Sequence, residues 1–236
     1  MGSVSITVQD AVNYVKTLIK NQRLNISNYQ PGLTSANITL QRILGPPFAY
    51  RFNRFNFSIP ITAAGKTDYQ VSLPTLGFME EMWLEDSSGT IYAIEGRTDL
   101  RKSSSSQRPQ LVAPVYDDNQ GNITFRFDYV PDQNYTFFCD AQNKAPLLKG
   151  WSDVFGPVPD EFGYIYHKWF LSEAGLIVND ARFEIWRREA VAALLATQDG
   201  LDEQAKAIMF EQMLNVGRTS LRSEMAGKLG SNARAS

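Results

Sequence analysis

Two residue types that carry nucleophilic or acid–base chemistry occur once each in this chain, as His167 and Cys139. A hydrolase of the Ser-His-Asp kind needs a base within hydrogen-bond reach of its nucleophile, and His167 is the single histidine that could serve. His167 falls between Tyr166 and Trp169, in the most aromatic helical segment, which favours an imidazole that completes a packed or interfacial surface. Cys139 falls in the predicted strand "NYTFFCDA", which favours a buried structural thiol. A single cysteine also excludes an intramolecular disulfide.

Carboxylates are the other groups that could do chemistry, and adjacent pairs include Glu80 with Glu81, Asp117 with Asp118, and Asp160 with Glu161. Neighbouring residues of a strand point to opposite faces, so the first pair is poorly placed to share a proton or a metal ion. "DDNQGN" at 117–122 lacks the distant bidentate glutamate that completes a calcium loop. The sequence has no glycine loop for phosphates, no dinucleotide fingerprint and no metal-ligand spacing. We therefore predict a protein that is not an enzyme, with no catalytic, metal or cofactor site.

Composition and charge limit the possible partners. The chain has 236 residues, 43% of them hydrophobic, which is enough for a real core. Its formal net charge of −2 gives no overall field that would attract a phosphate backbone, so any nucleic-acid contact must be local. No run approaches the length of a membrane span, and "MGSVSITVQD" lacks the regions of a signal peptide. We expect a protein that is made and used in a cytosol.

Helical periodicity occurs at both ends of the chain. Apolar spacing predicts helices at about 8–20, with Thr7 as N-cap, and at 35–44, where Gly45, Pro46 and Pro47 end the second one. Toward the other end, a helix that starts near Pro159 runs to about Ile177, with Asp160 and Glu161 at its positive end. Two more helices follow, from Phe183 to about Leu195 and over 201–215. The segment after Asn215 is basic and too poor in apolar residues to fold alone.

Between these helices the periodicity changes to that of strands. "LGPPFAYRFNRFNFSIP" at 44–60 interleaves aromatic rings with arginines, and its apolar positions change parity between Phe52 and Phe55, which predicts a bulge or bend near Asn53 and Arg54. The segment could bind single-stranded nucleic acid, but strand packing already explains its rings. Short strand candidates separated by turns continue to about Lys144, and "RKSSSSQRP" at 101–109 is predicted to be a mobile loop. We predict an antiparallel β domain of about six strands.

These patterns together predict an α+β fold: a helical bundle formed from the N- and C-terminal helices, with an inserted antiparallel β domain that is sandwich-like or barrel-like. The predicted boundaries are 1–54 for the first helical part and its joint, 55–149 for the β domain, 150–215 for the second helical part and 216–236 for a flexible basic tail. We expect the joint to connect domains or subunits, and we assign it five residues: Phe48, Tyr50, Arg51, Phe52 and Arg54.

This order of elements resembles the head-to-tail adaptor proteins of tailed bacteriophages, also called neck, connector, gatekeeper or tubular tail proteins. Three segments carry the resemblance: "GPPFAYRFNR" at 45–54, "ITFRFDYVPDQNYTFFCDAQNKAP" at 123–146, and "VPDEFGYIYHKWFLSEAGLIVNDARFEIWRREAVAAL" at 158–194. In the last segment "PDEF" opens a long helix and "NDARF" begins the next one. The predicted β insertion is longer than in compact adaptors, and it could carry an additional contact.

The resemblance implies a virion structural protein that forms a ring below the portal protein, usually with the portal's twelvefold symmetry. Such a ring continues the DNA channel without binding DNA specifically, and it docks the next neck or tail component. Assembly would take place in the cytoplasm of the host bacterium, with no membrane involved. In family members the C-terminal segment commonly orders on reaching the portal, which points to four basic tail residues as portal contacts: Arg218, Arg222, Lys228 and Arg234.

Three alternatives remain open at the level of the sequence. The chain could be another tail or baseplate component. It could be a β-sandwich module that binds carbohydrate or a cell surface, for which Trp83, Tyr92 and Tyr116 would supply aromatic platforms. An enzyme that uses His167 or Glu85 is the third alternative, because glycosidases need only two carboxylates.

Overall fold

The computed structural model describes residues 4–19, 32–63, 65–117, 120–198 and 201–214, which form a mixed α+β protein. The α+β class predicted from the sequence is therefore confirmed. The chain divides into two compact units. One unit, called the β unit here, is the continuous stretch Leu44–Ala145; the other, the helical unit, combines Met1–Ile43 with Pro146–Ser236. The helical unit is thus built from both ends of the chain.

Five α-helices lie in the described residues: α1 (Val8–Leu18), α2 (Gly32–Leu44), α3 (Gly163–Ile177), α4 (Phe183–Ala196) and α5 (203–214). The sequence predicted each of these helices, with ends that differ by a few residues. The largest differences are at α3, which begins at Gly163 rather than near Pro159, and at α2, which begins at Gly32 rather than at Ser35. Helix ends fray and depend on local capping, so such differences are expected from periodicity alone.

Thr7 starts α1 as the sequence predicted. Its side-chain oxygen accepts a hydrogen bond from the Asp10 amide at 3.1 Å, and the Asp10 carboxylate accepts one from the Thr7 amide at 2.9 Å. This reciprocal capping box pairs amides that the first turn of a helix leaves without partners, and a cap of this kind contributes about 0.5–2 kcal/mol. The hydrogen bonds from Thr7 also lower the pKa of Asp10.

The N-terminal segment is attached to the residues that precede α3. Phe155 donates its amide to the Ile6 carbonyl at 3.0 Å, and the Val8 amide donates to the Asp153 carbonyl at 3.0 Å. The Asp160 carboxylate accepts hydrogen bonds from the amide and hydroxyl of Ser5, at 2.8 and 2.7 Å. A 3₁₀ turn, Asp160–Phe162, precedes α3 where the sequence predicted the helix itself, and its first residue is used to hold the N-terminal segment.

The described residues of the β unit form eight strands in two four-stranded sheets. The first sheet has the order β1 (Arg54–Ile61), β8 (Tyr135–Asn143), β3 (Leu76–Asp86) and β4 (Ile91–Ala93); the second has β2 (Asp68–Ser72), β7 (Asn122–Phe127), β6 (Leu111–Asp117) and β5 (Glu95–Gly96). The first sheet is fully antiparallel, whereas β5 pairs with β6 in parallel. "TIYAIEG" holds two short strands in different sheets, which is one reason why the prediction of about six strands was too low. The two sheets are separate ladders and not one closed barrel.

One apolar core lies between the inward faces of the two sheets. Phe137 of β8 contacts Phe127 of β7, with ring centroids 5.5 Å apart and nearly perpendicular planes, and Phe57 of β1 lies 5.7 Å from Phe125 of β7. Phe125, Phe127 and Phe137 are fully buried. Burying rings of this size dominates the stability of a small sandwich, because each removes a large apolar area from water.

The serine-rich segment at 101–109 is attached by its backbone to the residues that follow β7. The Ser103 amide donates to the Asp128 carbonyl at 2.7 Å, the Val130 amide donates to the Ser105 carbonyl at 3.2 Å, and the Gln107 amide donates to the Val130 carbonyl at 2.9 Å. The Asp128 carboxylate also accepts from the Gln110 amide at 3.0 Å. The composition predicted a mobile loop, but composition does not reveal backbone pairing with a distant turn.

Candidate functional site

All five residues that the sequence assigned to the joint lie in the β unit. Phe48 and Tyr50 are buried, and Phe52 stacks on Tyr50 with ring centroids 4.8 Å apart. Arg51 is exposed, and Arg54 is the first residue of β1. The predicted bend is a 3₁₀ turn, Arg51–Asn53, which places Phe52 outside the extended chain that the alternation had indicated. The role of this segment as a joint between domains or subunits stays a prediction.

The chain entering the β unit is bonded to the chain leaving it by two reciprocal amide contacts, which we call the amide lock. Gln142 of β8 accepts a hydrogen bond from the Tyr50 amide at 3.2 Å and donates one to the Tyr50 carbonyl at 3.1 Å. Asn53 donates to the Asn143 carbonyl, and Asn143 donates to the Asn53 carbonyl, both at 2.8 Å. Gln142 and Asn53 are buried, so these bonds satisfy backbone groups that water does not reach.

A charged cluster extends the amide lock across the first sheet. Gln142 donates to one oxygen of Glu80, and Arg54 donates to the other. A second nitrogen of Arg54 lies 3.7 Å from Asp140. The hydrogen bond with Glu80 raises the pKa of Arg54, and the negative charges of Glu80, Asp140 and Glu81 act in the same direction. Arg54 of β1 therefore bridges to both β3 and β8, and it is committed to carboxylates of its own sheet.

A β-bulge explains why Glu80 can join this cluster. The pairing of β3 with β8 shifts register between Met79 and Glu81, so Glu80 is the extra residue of the bulge. Its side chain is 11% exposed and faces Arg54 and Gln142, while Glu81 is exposed. Bulges commonly redirect a side chain in this way. The argument that neighbouring strand residues alternate faces does not apply at such a position.

His167 and Cys139 lie in different units. The His167 ring packs against Tyr14 of α1, with centroids 4.6 Å apart. Burial lowers the pKa of His167, and the charge of Asp10 partly offsets this effect. Cys139 is fully buried in the sandwich core, and burial raises the pKa of its thiol to about 12. The prediction of a buried thiol is confirmed.

The aromatic residues considered as platforms have different surroundings. Tyr92 donates a hydrogen bond to Asp86 at 3.0 Å, and the guanidinium of Arg108 covers its ring at 4.5 Å from the centroid. Trp83 is half-buried and stacks on Phe138, with centroids 5.5 Å apart and planes within 10° of parallel. The side chain of Tyr116 lies outside the part of the chain that the structure describes.

The helical unit contains a buried carboxylate that sequence reasoning missed. Glu173 of α3 is 6% exposed, and burial raises the pKa of its carboxyl, while the charges of Arg42 and Arg187 oppose that shift. Burial in turn lowers the pKa of Arg187, whose Nη2 contacts the Met213 carbonyl of α5 at 3.5 Å. Glu173 shares one helical face with Trp169, four residues before it, so periodicity alone could have flagged it as a polar residue at a core position.

Two sets of residues singled out in the sequence cannot be placed. The predicted portal contacts Arg218, Arg222, Lys228 and Arg234 lie outside the described residues, as does Asp118.

Among the described residues, no group of three or more His, Cys, Asp or Glu side chains is arranged to hold a metal ion. In the same part of the chain, no helix is long and apolar enough to cross a membrane. The chain matches no model of a known protein family and no curated protein.

Sequence reasoning found one side of the amide lock and missed the other. The parity change between Phe52 and Phe55 indicated that the chain bends near Asn53, which is correct. The contacts of Gln142 and Asn143 were not predicted, because polar residues after a run of apolar ones usually indicate that a strand has ended. A signal was present, since "DAQN" at 140–143 directly continues the predicted strand and ends in two amide side chains, which can both donate to and accept from backbone groups.

Proposed function

We propose that this protein is a virion structural protein, a head-to-tail adaptor of a tailed bacteriophage. In this role it forms a ring below the portal, continues the DNA channel and docks the next neck or tail component. The resemblance of three segments to that family supplies the class. The architecture described above supports the proposal, because a mechanical adaptor needs a rigid subunit with separate surfaces for its neighbours.

The observation that carries the proposal is that the helical unit is formed by two separate parts of the chain, Met1–Ile43 and Pro146–Ser236. Hydrogen bonds join these parts: Ser5 donates to Asp160, and the Phe155 amide donates to the Ile6 carbonyl. Asp160 belongs to "VPDEF", one of the segments that carries the resemblance. We propose that helices from both ends form one bundle, into which the sandwich is inserted as a complete domain.

The amide lock supports a mechanical role for the inserted sandwich. An insertion whose two ends are fixed to each other keeps its shape when force is applied at those ends, because a load cannot separate the entering and leaving strands without breaking buried hydrogen bonds. Four such bonds, between 2.8 and 3.2 Å, join Tyr50 and Asn53 to Gln142 and Asn143. The amide lock thus suits a subunit of a ring whose channel carries DNA.

Contacts between ring neighbours are assigned to the helical unit. Exposed large apolar side chains on its described helices include Tyr164, Leu176, Ile177, Ile185 and Ile208, which are between 37% and 59% exposed. Such residues on α3, α4 and α5 are costly to leave in water and suit a surface that a second copy of the chain covers.

Portal docking is assigned to the basic tail, which has four basic residues, Arg218, Arg222, Lys228 and Arg234, and a single acid, Glu224.

The adaptor role is tested by sedimentation of the purified protein, alone and mixed with the portal protein encoded by the same genome. We expect a large complex of fixed stoichiometry. Deletion of residues 217–236 should abolish that complex and leave the fold intact, since a segment that orders on binding contributes contacts only in the complex.

A full-length variant with glutamine at the four basic tail positions is the matched control for chain length. Loss of the complex in both variants supports basic residues as the docking determinant, whereas loss in the deletion alone assigns docking to other tail residues. A protein that stays monomeric with the portal, or a deletion variant that binds normally, contradicts the adaptor role or the tail's part in it, respectively.

A further inference from the structure

The outward side of the first sheet carries a row of four side chains that cross all its strands. Ala93 of β4 lies opposite Trp83 of β3, Trp83 lies opposite Phe138 of β8, and Phe138 lies opposite Ser58 of β1. Leu84 and Phe137, one position away, point into the core. We call the outward side around Trp83 the outer face. The stacked rings of Trp83 and Phe138 lie between two small residues, Ala93 beside Trp83 and Ser58 beside Phe138.

Two carboxylates bracket Trp83 on its own strand. Glu81 and Glu85 are two residues before and after it, and the register places both on the outer face, opposite Asp140 and Thr136. Among the described residues, neither carboxylate forms an ion pair or a hydrogen bond that would occupy it. Arg54, whose positive charge is nearest in the pairing, is already engaged by Glu80 and Asp140.

At two other places in this chain, an aromatic ring with a carboxylate nearby is covered by an arginine guanidinium. Arg182 lies over Trp186 at 4.7 Å from the ring centroid, and Asp180 accepts two hydrogen bonds from it at 3.0 and 2.9 Å. Arg108 lies over Tyr92, whose hydroxyl is bonded to Asp86. Both sites unite an aromatic face, a carboxylate and a guanidinium, a geometry that stabilises a cation by its quadrupole and by charge.

We propose that the outer face docks an arginine-bearing segment of a partner protein. The guanidinium stacks on Trp83 and donates hydrogen bonds to Glu81 or Glu85, and the exposed Ile91 and Ala93 contact the apolar part of the segment. Charge complementarity selects this occupant, because the groups that bracket Trp83 accept hydrogen bonds and do not donate them, whereas arginine donates and does not accept. The hydroxyls of Ser58 and Thr136 lie on the same face and could donate to a glycan, so a sugar is the comparison that separates the two occupants. The inference does not rest on the adaptor role.

The test uses the full chain labelled with nitrogen-15, in which the indole N–H signals of four tryptophans can be followed separately. The probe is a peptide of alternating serine and arginine with three arginines; the same peptide with lysine and the sugar cellohexaose serve as comparisons. We expect the arginine peptide to shift the Trp83 signal, to bind more tightly than the lysine peptide, and to weaken with added salt.

The double variant Glu81→Gln with Glu85→Gln keeps the ring and removes both charges, so it tests the site without disturbing the core. We expect it to weaken peptide binding at least about tenfold, while the double variant Glu161→Gln with Glu184→Gln, which removes two exposed carboxylates elsewhere, binds as the unaltered protein does. Trp83→Leu should also weaken binding. An unshifted Trp83 signal, equal binding by the two double variants, or a shift with cellohexaose and none with the arginine peptide would overturn the proposal.

Discussion

Among the described residues, the β unit leaves fewer buried polar side-chain atoms without a hydrogen-bond partner than the helical unit does, although Asn53 Oδ1 of the amide lock is one of them. In the sandwich, buried polar side chains such as Gln142 and Asp128 are bonded to backbone groups. In the helical unit, four buried polar atoms have no hydrogen-bond partner among the described residues: Ser35 Oγ, Thr39 Oγ1, Trp169 Nε1 and Arg187 Nε. A buried polar group without a partner costs about 1–3 kcal/mol, so the two units differ in how complete each is alone.

Their surfaces differ in the same direction. Of the exposed large apolar residues, the described part of the helical unit carries nine, and that of the β unit carries two, Ile91 and Val115. A unit with more unpaired interior groups and more exposed apolar residues is what assembly through the helical unit would require, and a sandwich with fewer of both is what an inserted domain would require. Each prediction below alters one side of this comparison.

The largest effect is expected from breaking the amide lock. Gln142→Met keeps the approximate shape of the side chain but removes the hydrogen bonds that Gln142 makes to the buried amide and carbonyl of Tyr50, of which the carbonyl still accepts from the Asn53 amide at 3.0 Å. We expect the free energy of unfolding of the β unit to fall by about 1–3 kcal/mol. Cys139 provides the measurement. It is the single cysteine of the chain and is buried in the sandwich core on β8, the strand that also carries Gln142. Burial raises the pKa of its thiol to about 12, so alkylation at pH 8 reports opening of the sandwich.

Gln70→Met is the matched control for this change, because Gln70 is an exposed residue of β2. It should change the free energy of unfolding obtained from Cys139 alkylation by less than about 0.5 kcal/mol. If Gln142→Met costs no more than Gln70→Met, the amide lock does not stabilise the β unit and its mechanical role fails with it.

The lock also marks how far sequence reasoning could go. Periodicity located the helices and the strands, because burial on one face is a local property that spacing records; α1 and β1 show this most clearly. It could not give the strand order β1-β8-β3-β4, nor bring Tyr50 to Gln142, because pairing across about ninety residues depends on the whole fold. The contacts of Glu80 could not be predicted for a further reason: a β-bulge breaks the alternation of faces on which the prediction for Glu80 and Glu81 relied.

A smaller effect is expected on assembly. Ile185 of α4 is 59% exposed, and Ile185→Gln should weaken self-association or portal-bound ring formation about tenfold, since it removes apolar surface that a neighbouring copy would cover. Sedimentation velocity across a concentration series measures the change. The neighbouring exposed residue offers the control Glu184→Gln, which should associate normally, and equal behaviour of the two variants would place ring contacts away from this part of α4.

The smallest effect concerns Glu173, and its sign separates burial from charge. Burial raises the pKa of its carboxyl above the unfolded value despite Arg42 and Arg187, so its proton contributes stability that is complete below the unfolded pKa and is lost as pH rises through the folded pKa. Glu173→Gln resembles the protonated form, so it should match the unaltered protein near pH 4 and be more stable near pH 8. Denaturant unfolding followed by tryptophan fluorescence measures this, with Glu184→Gln as the exposed control. A variant that is less stable near pH 8 would mean that attraction to the two arginines outweighs burial, and the helical unit would then be better satisfied than its unpaired atoms indicate.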